Sequence, residues 1–89
     1  MSQYEELKTW IIVKLFRNSY VGHRLLDFDD FGKKVDKKSL LKALKELIRE
    51  DIVLMKPSNR SAKGRFSLNL KTKGKWEERV LREIRKGLE

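Results

Sequence analysis

Chemistry in this 89-residue chain must be done with charge, because the usual catalytic and metal-binding residue types are scarce. His23 is the sole histidine and there is no cysteine, which excludes a thiolate nucleophile, a disulfide and a thiolate metal site. Zinc would have to recruit carboxylates around one imidazole, and no serine stands in a motif that would make it a triad nucleophile. Asp27, Asp29 and Asp30 lie close together, but capping and dipole roles at the start of a short helix account for them. Gly22, Gly32, Gly64, Gly74 and Gly87 are scattered rather than gathered into a phosphate-binding loop. The expectation is a non-enzyme with no cofactor, no metal and no small-molecule effector.

Cationic side chains are abundant: 22 Lys and Arg stand against 13 Asp and Glu, a net charge of +9. Residues 1–31 hold four basic and five acidic side chains, residues 32–75 fourteen and four, and residues 76–89 four of each. The whole excess therefore lies in the middle of the chain, where it makes a directed positive field suited to a nucleic acid or an acidic surface. Two groups stand out there. Lys38, Lys42, Lys45 and Arg49 recur at helical spacing within about 60° of one another, with only Glu46 and Glu50 as acids nearby. Such a stripe can be a merely solvated face, but a solubilising face in so Lys- and Glu-rich a chain would mix its signs. Arg60, Lys63 and Arg65 form the second group, in a polar loop with no acid among them.

The elements that must position these groups follow from hydrophobic periodicity. A single domain spanning 1–89 is expected, since a chain this short sustains one modest core. Ser2 and Glu5 have capping-box spacing, and Leu7, Trp10, Ile11, Ile12, Val13, Leu15 and Phe16 extend a helix over about 3–18. Arg24 to Leu26 reads as a short extended stretch. Asp27 then caps a brief helix that turns Phe28, Phe31 and Val35 inward. Asp36 opens the clearest helix, 37–50, with Leu40, Leu41, Leu44, Leu47 and Ile48 on one arc and the basic stripe on another. Ile52 to Lys56 is β-rich and ends at Pro57, and Arg65 to Lys71 alternates strictly with Phe66, Leu68 and Leu70 on one face. Thr72 caps a last helix in which Trp76, Val80, Ile84 and Leu88 recur every four residues.

The run from Phe28 through Asp36 and Leu47 to Val53 resembles the short helix, turn, recognition helix and first wing strand of winged helix-turn-helix DNA-binding proteins. Phe66 to Gly74 is similar to the second wing strand and following helix start of the PadR-like and MarR-like small transcriptional regulators. The resemblance implies an α+β fold with a three-helix core, a β-hairpin wing and an additional C-terminal helix. The helix-turn-helix would occupy about 27–50, the wing about 52–71 and the C-terminal helix about 73–88. It further implies that Lys37, Lys38, Ser39 and Lys42 face base edges of double-stranded DNA, with Lys45 and Arg49 nearer phosphate. Arg60, Lys63 and Arg65 would grip the backbone from the wing. Asp51 stands where the family usually has glycine, at a position that often needs a left-handed backbone. The implied role is a small transcriptional regulator. The alternatives are a winged-helix interaction module of a replication or transcription complex, or a sequence-indifferent chromatin or RNA binder.

The terminal helices carry more apolar surface than one small core requires, so a homodimer is expected through Trp10, Val13, Trp76, Val80 and Ile84. Glu5 and Glu6 stand where a secretory leader would be basic, and the longest apolar run, Trp10 to Val13, stops at Lys14. A cytoplasmic location is expected, with no membrane contact. One Gln and three Asn beside so many Lys, Glu and Arg lean toward a heat-loving source.

Overall fold

In the computed structural model, which describes residues 3–32, 34–60 and 62–88, an α+β core is built from three helices and a three-stranded antiparallel sheet. Helix α1 (Gln3–Arg17) is followed by the two-residue strand β1 (Leu26–Asp27) and a 3-10 turn, Phe28–Phe31. Helix α2 (Lys37–Arg49), strands β2 (Val53–Lys56) and β3 (Arg65–Leu68), a second 3-10 turn and helix α3 (Lys73–Leu88) complete the chain. The sheet order is β1-β3-β2, so β3 is central. It pairs Val53 with Leu68 and Lys56 with Arg65 on one side, and Leu26 with Phe66 on the other.

Helix α2 forms where expected because its local signals agree. The Asp36 carboxylate accepts the Ser39 backbone N–H at 3.3 Å, and Leu40, Ala43, Leu44 and Leu47 are fully buried. Asp51, just past its C-terminal end, has φ +63°, the left-handed conformation expected from its position. The same leucines meet Ile11, Ile12 and Leu15 of α1, Phe28 and Phe31 of the first turn, Phe66 and Leu68 of β3, and Trp76 and Val80 of α3 in one continuous core. The hairpin between β2 and β3 closes at Gly64, whose φ is +93° and where an added Cβ would stand 3.0 Å from the Lys56 carbonyl. Its carbonyl accepts the Phe28 N–H at 3.1 Å and so fastens the hairpin to the start of the 3-10 turn.

Several expectations need correction. The brief helix after Asp27 is a four-residue 3-10 turn that buries Phe28 and Phe31 while Val35 lies beyond it, half-buried. Phe28 and Phe31 are three residues apart, which suits the threefold period of a 3-10 turn as well as an α-helix. Asp27 makes no side-chain cap there; its carboxylate instead accepts the Ser58 hydroxyl. Strand β3 stops at Leu68, and Leu70, expected inward, is 58% exposed. Asn69 ends the strand by accepting the Lys71 N–H on its side chain at 3.0 Å, which turns the chain before Leu70 can reach the core. The hydroxyl of Thr72, expected to cap α3, is directed to the Asp51 carbonyl at 2.5 Å, with the Asn69 carbonyl 3.2 Å away. The capping box at Ser2 lies outside the described residues.

Trp76 and Val80, expected at a dimer interface, are each 1% exposed within the chain's own core and offer no surface to a partner. Trp76 packs against Phe16 with ring centroids 6.1 Å apart, and its indole N–H donates to the Asn69 carbonyl at 2.9 Å. Among the described residues no helix is long and apolar enough to cross a membrane.

Candidate nucleic-acid interface

The basic stripe lies on the outer side of α2. Lys38, Lys42, Lys45 and Arg49 are all exposed, on the side of the helix away from the buried leucines. At a rise of about 1.5 Å per residue they form a line about 16 Å long. The separation of faces is a direct result of the i, i+4, i+7, i+11 spacing, which keeps cations on one side and Leu40, Leu44 and Leu47 on the other.

Two residues assigned to base contact are already engaged by the helix start. The Ser39 hydroxyl donates to Asp36 Oδ2 at 2.7 Å, so together with its backbone N–H it completes the N-cap. This hydrogen bond, followed by the backbone N–H of the same serine, holds the Asp36 carboxyl below its usual value. Lys37 reaches back to the Gly32 carbonyl at 3.0 Å. Its ammonium also lies 5.5 Å from the centre of the Phe28 ring.

Phe28 joins the helix to the hairpin. Lys63 places its ammonium 4.8 Å from the same ring centre, so the cations of hairpin and helix start lie within about 10 Å of each other. The ring itself is 1% exposed beneath these side chains. Lys56 and Lys63, with Met55, Pro57 and Gly64, line a shallow hollow of about 270 Å³ on the hairpin. Lys56 was not singled out from the sequence. Its signal was present, since a lysine at the end of a strand and before a hairpin loop is carried outward with it.

The remaining two hairpin cations are held differently. Arg60 is 73% exposed, yet its guanidinium stands 3.6 Å from Asp27 Oδ2 and 3.9 Å from Asp30 Oδ2. Arg65, Cα-paired with Asp27 across β1 and β3, donates from Nε to the Pro57 carbonyl at 3.1 Å. These contacts tie the loop to β1 and lower the net positive charge that Arg60 presents at close range. Asp27 and Asp30 thus serve as a clip on the hairpin. Among the described residues no cluster of three or more His, Asp or Glu side chains is arranged to hold a metal.

A second charged feature was invisible in the sequence. Lys8 of α1 is buried and bonded to Glu50 Oε2 at 2.7 Å, while Glu5 of the same helix meets Arg79 of α3 at 3.1 Å. This network is structural, because it lies between the helices and away from the exposed stripe.

Comparison of the chain with protein families, with characterised proteins and with solved structures finds no match.

Proposed function

We propose that this chain is a winged-helix protein that binds double-stranded DNA, with α2 in the major groove and the β2–β3 hairpin against the adjoining backbone. The order helix, short strand, turn, helix and two strands, with the central position of β3, supports the winged-helix reading. The observation that carries the function is the convergence at Phe28, where Lys37 of the helix and Lys63 of the hairpin meet on one ring. The helix start and the hairpin thereby bring two cations within about 10 Å of each other, and with the exposed cations of α2 they supply the positive charge that a grip on a polyanion requires.

The same geometry favours backbone contact over base reading. With Ser39 and Lys37 engaged at the helix start, Lys38 and Lys42 are the exposed cations of the first turns, and lysine is a mobile point charge without arginine's rigid planar fork. A sequence-tolerant duplex binder is the reading these residues support best. A transcriptional regulator is the second, and it rests on Lys38 and Lys42 reaching base edges.

The test is fluorescence anisotropy with a duplex of mixed sequence, followed by selection from a random pool. Tight, salt-sensitive binding with little enrichment supports the tolerant binder, whereas a recovered motif supports the regulator. Absence of binding to any duplex at about 50 mM salt, where phosphate contacts are strongest, refutes the proposal and leaves an acidic protein surface as the partner.

A further inference from the structure

Helix α1 carries a second exposed ridge, on another part of the molecule from the basic stripe. Glu6, Trp10, Val13 and Arg17 follow one another at spacings of four, three and four, which places them within about 60° of one another over about 16 Å. Glu6 and Arg17 are exposed, Trp10 is 38% exposed, and Val13 is half-buried. These four residues line a groove of about 460 Å³ whose far wall includes Glu83 and Lys86 of α3. Among the described residues no ion pair holds Glu6 or Arg17. The helix dipole accounts for an acid in the first turn and a base in the last. It does not account for a tryptophan and a valine left on the ridge between them.

The ridge matches itself when reversed. Around the point midway between residues 11 and 12, Glu6 mirrors Arg17 and Trp10 mirrors Val13. A second α1 laid antiparallel about that point sets each glutamate opposite an arginine and each tryptophan opposite a valine, and two-fold symmetry makes every contact twice. A parallel pairing would instead stack glutamate on glutamate and arginine on arginine. We propose that the occupant of this groove is a second copy of the chain, docked antiparallel through α1. The interface is centred on Trp10 and Val13, leaves Trp76 and Val80 in their own core, and does not depend on the DNA-binding reading.

Sedimentation equilibrium of the whole chain tests this, with a series of charge exchanges. The wild-type chain is expected to dimerise at micromolar concentration. Glu6→Arg and Arg17→Glu each create two like-charge contacts in the dimer and should weaken it about tenfold or more. The combined E6R/R17E chain exchanges both ends, restores every opposite-charge pair, and should return to within about threefold of wild type. Trp10→Ala should also weaken the dimer at least about tenfold, as the loss of a central aromatic does. All four positions are at least partly exposed, and unchanged circular dichroism establishes that each variant is folded. A wild-type chain that stays monomeric at about 100 µM, single exchanges with wild-type affinity, or a combined exchange no better than the singles would each overturn the proposal.

Discussion

Replacing Lys45 by alanine removes one cation from the middle of the exposed α2 stripe without touching the core, and its effect on DNA binding can be worked out in advance. Lys38, Lys42, Lys45 and Arg49 on the helix, with Lys56 and Lys63 on the hairpin, give six candidate phosphate contacts for each chain engaged. At a slope of about −0.9 per contact, log affinity should fall against log salt with a slope of about −5, or about a thousandfold between 50 and 200 mM. Lys45→Ala should make that slope shallower by about 0.9, so the loss over the same interval shrinks about 3.5-fold. Arg82→Ala removes the same charge from an exposed site on α3 and should leave the slope unchanged. The assay is duplex anisotropy at five or so salt concentrations. Equal changes for the two variants would mean that net charge alone drives binding, and the argument from the stripe would fail.

Three further outcomes follow from particular contacts. Asp30→Asn loosens the clip on Arg60 and removes a negative charge from the hairpin, so duplex affinity should rise about two- to fivefold; weaker binding would show that the clip orders the hairpin for contact. Trp76→Ala should cost about 3 to 5 kcal/mol in urea unfolding, against about 4 to 13 kcal/mol for a chain of this length, and should leave the oligomeric state of the folded fraction unchanged. Dissociation with unaltered stability would place Trp76 at an interface after all. Asp36 has a lowered pKa in the folded chain, so its contribution is present above the usual carboxylate value of 3.8 and lost as pH falls through the folded value. The melting temperature should therefore decline in acid, and Asp36→Asn should flatten that decline; identical pH profiles would exclude this cap as a contributor.

How much of this was legible depended on how far apart the partners lie in the chain. Helix α2 could be read residue by residue because its cap, its leucine arc and its left-handed exit at Asp51 are all local. Leu70 was misplaced because a two-residue alternation has no marker for its own end; the marker was Asn69, whose side chain closes on the Lys71 N–H. Trp76 and Val80 show the limit of periodicity: a stripe says that a helix face is covered, and the Phe16 ring that covers Trp76 lies sixty residues earlier. Lys8 showed only its i, i+3 spacing to Glu5, 3.9 Å away, since its closer partner Glu50 lies at the far end of α2. At the candidate interface, the types and spacing of the cations were plain, while the contacts that engage several of these residues within the chain needed coordinates. Lys37, Ser39, Arg60 and Arg65 each answer to a carbonyl or carboxylate of the chain itself.

The two ends of α2 are held in different ways. At its start, the helix is fixed mainly by bonds to its neighbours in sequence, Asp36 and Gly32. At its finish, Lys8 of α1 takes the Glu50 carboxylate, Lys75 of α3 reaches the Glu50 carbonyl at 3.3 Å, and Asn69 and Thr72 both donate to the Asp51 carbonyl. The finish is thus tied by polar contacts to the first and last helices, whereas the start rests on its own cap, on Lys37 over the Phe28 ring and on the buried Leu40. A load placed on the exposed face of α2 by a bound partner would therefore pass through Glu50 and Asp51 to α1 and the start of α3.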